Sequence, residues 1–390
     1  MLDERFRGRV ASPIIFYDPD RFFSGDERSI KRRTSRAAQF SYIAARGALR
    51  TAQLLGKKNS QEAAIDPDRW GVYVGTGTGG VEDYRYAAKT LEEDGPRKIP
   101  FEAVFRVLPE RVGTIINLAF GFRGRSGTTV TACATGLTNI AESADFIRSG
   151  NMDGMITGGA EGTISDVLMG AFGNIRALSS KFAHRPQTAS RPFDQESDGF
   201  VPSEGAGIMV LEREDIALAR GVDIKAEVAG FAWNNDAHHE TVPDHHGLAK
   251  AITEALKMAG LKTTDVDAYV AHGTSTGLNE TSETKALVQA LGEHAYKIAI
   301  TAPKSMLNHQ LGAAGALTAL IAIGILEHNI IPPTINIERL KDEFASLDIV
   351  RKAREVKARV VLAASAGFGG HNAVVVFKRY INSQLKLPLF

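Results

Sequence analysis

Short strand-like segments alternate with longer helix-like segments along most of this chain, and this alternation limits the folds open to it. In the first half, strand-like residues 71–75 and 153–158 flank a helical pattern at 110–119. In the second half, strand-like residues 298–302 are followed by helical residues 312–326. Strands that alternate with helices form mostly parallel sheets covered by helices. The pattern therefore predicts an α/β protein.

The length of the chain indicates two structural units. At 390 residues, the chain is long for a single hydrophobic core, and two fused halves suit it better. We place the halves at residues 1–222 and 223–390, because a strand-like segment at 224–232 opens a second series of strands and helices. No stretch rich in proline, glycine or serine separates them.

Composition narrows the class of protein further. The chain is 44% hydrophobic and 23% charged with a net charge of +1, which is ordinary for a globular protein and favours neither nucleic acid nor a membrane as partner. One cysteine cannot form an internal disulfide, which predicts a cytoplasmic protein. The N-terminus carries acids and lacks the apolar core of a signal peptide. The longest apolar run, residues 317–326, is shorter than a membrane span and predicts a buried helix.

The single cysteine, Cys133, lies in the segment Thr-Val-Thr-Ala-Cys-Ala-Thr-Gly at residues 129–136. A branched apolar run precedes it, and apolar residues such as Leu137 and Ile140 follow at helical spacing. Backbone N–H groups and the helix dipole at such a turn stabilise a thiolate, so the pattern predicts a lowered thiol pKa. Cys133 is therefore a candidate nucleophile, although a lone cysteine is more often a small buried hydrophobe.

Two histidines lie just after probable strands in the second half. His272 stands in Ala-His-Gly-Thr-Ser-Thr at residues 271–276, and His309 ends Lys-Ser-Met-Leu-Asn-His at residues 304–309. Loops at strand ends carry much of the chemistry of α/β proteins. One histidine in such a loop is more often a structural hydrogen-bonding group. Two of them, with a cysteine at a helix start, indicate a nucleophile and acid–base constellation.

Five further motifs support a family resemblance. They are Gly-Met-Ile-Thr-Gly-Gly-Ala-Glu at 154–161, Arg-Pro-Phe-Asp at 191–194, Asp-Gly-Phe-Val at 198–201, Glu-Gly-Ala-Gly at 204–207 and Gly-Phe-Gly-Gly-His-Asn-Ala at 367–373. Together with the cysteine and histidine segments, they make the chain similar to the β-ketoacyl-[acyl-carrier-protein] synthases of the thiolase-like superfamily, especially the type II elongating enzymes. The resemblance runs from about residue 9 to 380. It implies two similar halves in five layers, ordered helix–sheet–helix–sheet–helix.

The resemblance also implies an activity and the residues that carry it. Members are acyltransferases that condense malonyl-carrier protein, with loss of carbon dioxide, onto an acyl group held by the residue matching Cys133. His272 and His309 are expected to bind the malonyl thioester carbonyl, and Lys304 to orient this region. The oxyanion hole is expected at the backbone N–H groups of Cys133 and Phe368. The substrate-binding residues implied are Thr274, Thr276, Phe172, Phe368 and Ala366, and the carrier-protein docking residues are Arg97, Lys98 and Arg176.

The implied partners are an acyl carrier protein and a second copy of the chain in a homodimer, and neither a metal nor an organic cofactor is implied. The pathway is fatty-acid synthesis or a related lipid or polyketide elongation. One alternative is a non-catalytic, chain-length-determining subunit of a ketosynthase heterodimer, but such subunits typically lose the nucleophile. Another is a thiolase or ketoacyl-CoA synthase. Those enzymes use Cys-His-Cys or Cys-His-Asn, which the single cysteine and second histidine disfavour.

Two other patterns resemble ligand sites. Residues 75–80 satisfy the dinucleotide fingerprint G-x-G-x-x-G after a strand, but this fingerprint is weak alone, and condensing enzymes have a glycine-rich turn at this place. The segments His-His-Glu at 238–240 and Asp-His-His at 244–246 resemble a metal cluster. A solvated loop is the better interpretation, because the spacing of ligands does not determine their geometry.

Several features depart from the family pattern. Members open with a strand before the region matching Arg9, so we expect either a start placed too far downstream or a first half that lacks one sheet strand. The acid that pairs with the family's lysine is replaced by Thr318, and the usual proline after Thr276 is Gly277. Ala366 replaces a bulky gating phenylalanine. The smaller side chain predicts easier entry of longer or branched acyl groups.

Overall fold

The computed structural model describes residues 4–56, 65–162 and 164–381, and its strands follow the predicted alternation. The first half contains β1 to β4 and the second half β5 to β12. In chain order the strands are β1 Trp70–Gly75, β2 Ser126–Gly127, β3 Gly154–Glu161, β4 Gly205–Glu212, β5 Glu227–Asn235, β6 Ala268–Val270, β7 Ala299–Thr301, β8 Ile330–Ile331, β9 Asp348–Ile349, β10 Arg354–Glu355, β11 Val360–Gly367 and β12 His371–Lys378.

The helices fill the intervals between the strands. In chain order they are α1 Arg28–Arg32, α2 Arg36–Thr51, α3 Val81–Asp94, α4 Ala103–Val107, α5 Arg111–Phe120, α6 Thr135–Arg148, α7 Asp166–Asn174, α8 Glu214–Arg220, α9 His245–Ala259, α10 Gly277–Leu291, α11 Lys304–Leu307 and α12 Ala314–His328. The predicted helices at 110–119 and 312–326 are confirmed as α5 and α12 within two residues.

The strands of each half form one main sheet. The first sheet has the order β2-β1-β3-β4, with β1 parallel to its neighbours and β4 antiparallel to β3. The second has the order β5-β12-β11-β6-β7-β9. There β11, β6, β7 and β9 run parallel, while β12 is antiparallel to both β11 and β5. The α/β class and the mostly parallel core strands are therefore confirmed.

The two sheets share one plan but differ at one edge. The order β2-β1-β3-β4 corresponds to β7-β6-β11-β12, and in the second half β5 then pairs with the far side of β12. Among residues 4–56, 65–162 and 164–381, no strand occupies the equivalent position beside β4. Within the described residues, the first sheet thus has one strand fewer, at its β4 edge. The pairing of β1 with β2 and β3, and of β3 with β4, is uninterrupted.

The helices arrange the sheets in five layers. α2 and α5 pack on the outer face of the first sheet, and α9 and α10 on the outer face of the second. Between the sheets lie α6 and α12, with apolar residues such as Leu137 and Ile140 of α6 against Ala319 and Ala322 of α12. This is the helix–sheet–helix–sheet–helix stacking predicted for the chain.

The two central helices, α6 and α12, pack so closely that their backbones are in contact. A Cβ atom on Gly315 of α12 would lie 2.6 Å from the backbone nitrogen of Leu137 in α6, and one on Gly136 would lie 2.7 Å from that of Ala316. Only glycine permits such contact without a shift of one helix. The close approach brings the N-termini of α6 and α12, and the segments that precede them, to the same place.

The segment that contains α12 is longer than its apolar run suggested. Residues Leu311–His328 are long and apolar enough to cross a membrane by length and composition alone, so the expectation that no segment reaches that length is wrong. However, 61% of this segment is buried inside the protein. It is the central core helix, as expected for residues 317–326.

Candidate active site

Cys133 lies where the chain turns into the central helix α6. It belongs to a short 3-10 turn, Ala132–Ala134, that leads directly into α6. Ala132 adopts the left-handed conformation, with φ of 49°, which turns the chain sharply just before the thiol. The branched residues 128–131 form no strand, so Cys133 follows a coil segment. The side chain is 8% exposed, and it reaches a cavity of about 600 Å³.

The cavity joins residues from both halves of the chain. Of the predicted site residues, Cys133, Arg176, His272, Thr274, Thr276, His309, Ala366 and Phe368 line it. The two histidine rings meet edge to face, with 5.6 Å between their centroids. The thiol from the first half and the imidazoles from the second therefore form one site.

Burial controls the ionisation of the thiol. It raises the pKa of Cys133 to about 11, although Lys304 and the backbone N–H groups of Phe368 and Cys133 act to lower it. Our expectation of a lowered pKa is therefore wrong, since the loss of solvation exceeds the help from the helix start. The same two N–H groups are those predicted for the oxyanion hole, and both act on the sulfur.

Both imidazoles are neutral at ordinary pH. Burial is the main cause that lowers the pKa of His272 and of His309 well below the usual value, and Lys304 lowers both further. A neutral imidazole can donate one N–H to a substrate oxygen. The Nδ1 atom of His309 is buried and has no hydrogen-bond partner among the residues described, so a nitrogen of this ring can bind a group that enters the cavity.

Lys304 is buried beside His272. Its Nζ donates to the backbone carbonyl of His272 at 2.6 Å and lies 3.4 Å from Nδ1 of the same ring. Burial lowers the pKa of Lys304 to about 8, against the opposing effects of Glu283 and Cys133. Lys304 thus carries a positive charge at neutral pH, and its hydrogen bond to the backbone holds the loop that contains His272.

Glu283 is a site residue that the sequence analysis missed. Its carboxylate, buried on α10, accepts hydrogen bonds from the backbone N–H of His272 at 2.6 Å and of Gly273 at 2.9 Å. It is also the acid that acts most on Lys304. The Thr318 hydroxyl instead donates to the carbonyl of Ala314 within α12. α10 begins at Gly277, directly after the loop that carries His272, and this nearness of Glu283 to the histidine motif in the sequence was the available signal.

The turn after β11 holds Phe368 against the nucleophile. A Cβ atom on Gly367 would lie 2.5 Å from the carbonyl oxygen of Thr131 and 3.2 Å from the backbone nitrogen of Cys133, so only glycine allows this approach. The ring of Phe368 packs 6.4 Å from that of Phe172. Phe172 belongs to the apolar cluster that surrounds Cys133. Both predicted aromatic residues therefore lie by the thiol.

The remaining predicted residues divide into two groups. The hydroxyls of Thr274 and Thr276 lie 2.8 Å apart in the cavity wall, and Arg176 is exposed at the same cavity. Arg97 and Lys98 form an exposed 3-10 turn after α3 and are not part of the cavity wall. Of the three predicted docking residues, only Arg176 is brought to the site.

The glycine-rich turn at 75–80 encloses a side chain of the protein itself. The Glu161 carboxylate accepts hydrogen bonds from the Gly77 N–H at 2.8 Å, from the hydroxyls of Thr76 and Thr78, and from the Gly312 N–H at 3.0 Å. These bonds tie the turn to the start of the α12 segment. The turn's donors are thus used to join the two halves, which argues against a dinucleotide site.

The histidine-rich loop is solvated at its surface. Asp244, His245 and His246 could place three ligand atoms within 4.8 Å of one another. Asp244, however, caps α9 by accepting from the His246 N–H at 3.2 Å, which is an ordinary structural role. The carbonyl of Glu240 accepts from the Gly369 N–H at 2.8 Å, so this loop also contacts the turn that carries Phe368.

The fold and the site together define a class, the thiolase-like acyl-transferring enzymes with a cysteine nucleophile and two histidines. Comparison with known families agrees. Residues 3–217 match the model of the beta-ketoacyl synthase N-terminal domain, and residues 225–338 match that of the C-terminal domain. The chain belongs to the beta-ketoacyl synthase family. It is an acyltransferase, a β-ketoacyl-[acyl-carrier-protein] synthase.

Individual relatives are similar over most of their length. A 3-oxoacyl-[acyl-carrier-protein] synthase 2 from Staphylococcus aureus (strain COL) is 38% identical over 90% of this chain and 83% of its own. The enzyme of the same name from Synechocystis sp. is 39% identical over 96% and 88%. A beta-ketoacyl synthase structure from Burkholderia phymatum covers 97% of this chain and 90% of its own at 31% identity, with a TM-score of 0.89.

Proposed function

We propose that this chain lengthens acyl groups by two carbons through a Cys133 thioester, and that residues 1–222 and 223–390 are the two domains that build the site. In the first step, the sulfur of Cys133 attacks the thioester carbonyl of an acyl carrier protein. The acyl group passes to the cysteine, and the thiol of the carrier leaves. The N–H groups of Cys133 and Phe368 stabilise the oxyanion of the tetrahedral intermediate.

In the second step, malonyl-carrier protein enters the cavity. Its thioester oxygen accepts hydrogen bonds from the neutral rings of His272 and His309. The bond to the carboxylate breaks, carbon dioxide leaves, and the electron pair becomes the enolate. The neutral rings stabilise charge only as it develops, which favours the transition state over the bound substrate.

In the third step, the enolate carbon attacks the acyl carbonyl on Cys133. The new carbon–carbon bond forms, the carbon–sulfur bond breaks, and the cysteine sulfur is released for another cycle. The single observation that carries this proposal is the convergence of the thiol from one half with the two rings from the other in one cavity.

The partner proposed is an acyl carrier protein, docked by Arg176 at the cavity mouth, with Arg97 and Lys98 as further docking residues. Thr274 and Thr276 hold the pantetheine arm, while Phe172, Phe368 and Ala366 contact the acyl chain. One related structure is described as a type II PKS acyl-carrier protein in complex with its ketosynthase. We propose a cytoplasmic homodimer that uses no metal or organic cofactor.

The direct test is a condensation assay with purified acyl- and malonyl-carrier protein. Mass spectrometry should detect a carrier-bound 3-oxoacyl product two carbons longer than the starter. An acyl adduct on Cys133 should form before malonyl-carrier protein is added. A persistent adduct in Cys133→Ala, or a product formed without loss of carbon dioxide, would contradict the proposal.

A non-catalytic role is the second candidate. One similar structure, with a TM-score of 0.86 and 32% identity, is described as the ishigamide ketosynthase/chain length factor. The joint presence of Cys133, His272 and His309 in one cavity favours the catalytic role. Condensation by the purified chain alone separates the two candidates.

A further inference from the structure

The segment at residues 6–14, which we name the N-terminal strap, runs along the apolar cluster that surrounds Cys133, and the mechanism above gives it no role. The strap contains neither a helix nor a strand. Two of its apolar residues, Phe6 and Ala11, pack against the Cys133 cluster. The strap is therefore part of the shell that encloses the nucleophile.

The second part of the strap is fixed to the segment just before β4. The Ser12 N–H donates to the Pro202 carbonyl at 2.8 Å, and the Ile14 N–H donates to the Glu204 carboxylate at 3.0 Å. Val10 is buried in a small apolar cluster of its own. These contacts anchor residues 10–14, and the anchor brings residues 6–9 to a set place beside the cavity wall.

Gly8 lies directly against Leu178. A Cβ atom on Gly8 would be 2.4 Å from Cβ of Leu178 and 2.8 Å from its Cδ1 atom, which is closer than two carbon atoms can pack. Leu178 is buried in the Cys133 cluster, and its neighbour Ala177 lines the cavity. A side chain at position 8 would therefore push Leu178 toward the thiol.

The first residues of the strap pack against α7. A Cβ atom on Gly170 would be 3.8 Å from Cε1 of Phe6, and one on Gly173 would be 3.6 Å from Cβ of Arg7. Both distances are ordinary van der Waals contacts. The two glycines are three positions apart and share one face of α7, so the strap covers that face.

An adjoining face of α7 carries the residues nearest the nucleophile. Met169 is buried in the Cys133 cluster. The ring of Phe172 lies 5.4 Å from that of Phe200 and 6.4 Å from that of Phe368. Few residues of this nine-residue helix are buried, so its position depends on the strap on one face and on the Cys133 cluster on the other.

We propose that Phe6 and Gly8 are positioning residues for the acyl group: the strap holds α7 and residues 177–178 against the Cys133 cluster, and this limits the length of the acyl chain that the thiol accepts. The proposal rests on the proposed role of Cys133 as the acyl carrier. Neither Phe6 nor Gly8 is part of the cavity wall, so both act through the residues that they contact.

The two positions predict opposite changes in chain-length preference. Phe6→Ala removes the ring beside α7, so the helix can move away from the thiol and a longer chain can fit. Each further methylene group that gains apolar contact favours loading about fourfold, so a twelve-carbon group should gain about tenfold or more over a four-carbon group. Gly8→Ala pushes Leu178 toward the thiol and should lower the same ratio. A general loss of stability would move both variants in one direction.

The test measures acyl transfer to Cys133 from four-carbon and twelve-carbon acyl-carrier protein, followed by mass spectrometry. The control variants are Phe16→Ala and Gly47→Ala, because Phe16 is 93% exposed and a Cβ atom on Gly47 would meet nothing within 4 Å. Both controls should keep the ratio of the two rates. Decarboxylation of malonyl-carrier protein should be nearly unchanged in all four variants. A ratio that is unchanged in Phe6→Ala and Gly8→Ala, or that shifts the same way in both, would overturn the inference.

Hydrogen exchange tests the inference in the unaltered protein, whether or not the variants fold. Twelve-carbon loading should raise amide exchange in residues 6–14 and 166–178 above that seen with four-carbon loading, because the longer chain presses α7 against the strap. Equal exchange would count against the role of the strap.

The outcomes also keep the two proposals distinguishable. If neither acyl-carrier protein forms an adduct on Cys133 of the unaltered protein, the proposed function is wrong. If adducts form but Phe6→Ala and Gly8→Ala keep the chain-length profile of the unaltered protein, only the role of the strap is wrong.

Discussion

At the scale of single residues, the site works by desolvation. Burial raises the pKa of Cys133 above its ordinary value and lowers those of His272, His309 and Lys304. The same low-polarity surroundings that keep the thiol protonated also keep both imidazoles neutral, as enolate stabilisation requires. In the proposed mechanism, the backbone N–H donors at Cys133 therefore have to assist a thiol that is protonated in the free protein.

The pH dependence of alkylation should report the ionisation of this buried thiol. In the free protein, the rate of Cys133 modification by iodoacetamide should keep rising with pH toward about 11, because the thiolate is the reactive form. Lys304→Met should be slower below about pH 8, where Lys304 is charged and lowers the pKa of the thiol. Mass spectrometry of labelled protein measures the rate. A rate already maximal at pH 8 would contradict the account.

The charge of Lys304 should set the alkaline limit of decarboxylation. Its pKa is lowered to about 8, so the protonated form is lost as pH rises through that value, and the rate on malonyl-carrier protein should fall there. Lys304→Arg keeps a charge across this range. Where this variant is active, its alkaline decline should move to higher pH. A decline unchanged in Lys304→Arg would mean that another group titrates.

Sequence reasoning located the candidate site residues but not their environment. Cys133, His272 and His309 could be identified from the sequence because each stands in a distinctive local segment. The direction in which the thiol pKa shifts could not be predicted, because burial of the thiol depends on residues far away in the chain. Glu283 was missed for a related reason: one acid among many gains meaning only when the fold brings it to the backbone of the His272 loop.

At the scale of secondary-structure elements, the approach of α6 and α12 sets the site. Gly315→Val should destabilise the protein by about 1–3 kcal/mol, the usual range for overpacking, because its Cβ would lie 2.6 Å from the Leu137 backbone nitrogen. Gly324→Ala on the same helix meets nothing within 4 Å and should stabilise by about 0.5–1 kcal/mol. Chemical denaturation measures both. Equal effects of the two variants would refute the packing argument.

The start of α10 should make stability depend on pH. Glu280 is fully buried there, and burial raises its pKa to about 7 despite Lys341. The folded state then binds more protons than the unfolded state between about pH 4.5 and pH 7, so this group's contribution to the free energy of unfolding falls as pH rises through that window. Glu280→Gln should gain stability relative to the unaltered protein from pH 5 to pH 8, by up to about 3 kcal/mol. A difference in the free energy of unfolding between the two proteins that does not change with pH would contradict the assignment of this effect to Glu280.

The longer elements were predictable and the short ones were not. Periodic apolar patterns located α5 and α12 within two residues, because their packed faces repeat regularly. Strands of two residues, such as β2 and β8, carry no periodicity to read. The glycine-rich turn at 75–80 shows a different limit, since its dinucleotide pattern reflects close packing around Glu161.

At the scale of the whole molecule, duplication explains the site. Each half contributes the segment before its central helix, Cys133 before α6 and His309 before α12, and the glycine contacts of those helices place the two segments together. The five-layer stacking was available from the family resemblance. That the described residues place no counterpart of β5 beside β4 became apparent only once the strand order was known.

The central claim is that the thiol and the second-half histidines perform separate steps. The most direct measurement compares acyl transfer and malonyl decarboxylation in Cys133→Ala and His309→Ala, each checked for an unchanged fold by circular dichroism. Cys133→Ala should accept no acyl group. His309→Ala should still form the Cys133 thioester while its release of carbon dioxide from malonyl-carrier protein falls by about 1,000-fold or more. If His309→Ala blocks acyl transfer as strongly as decarboxylation, the division of roles between the two halves is wrong.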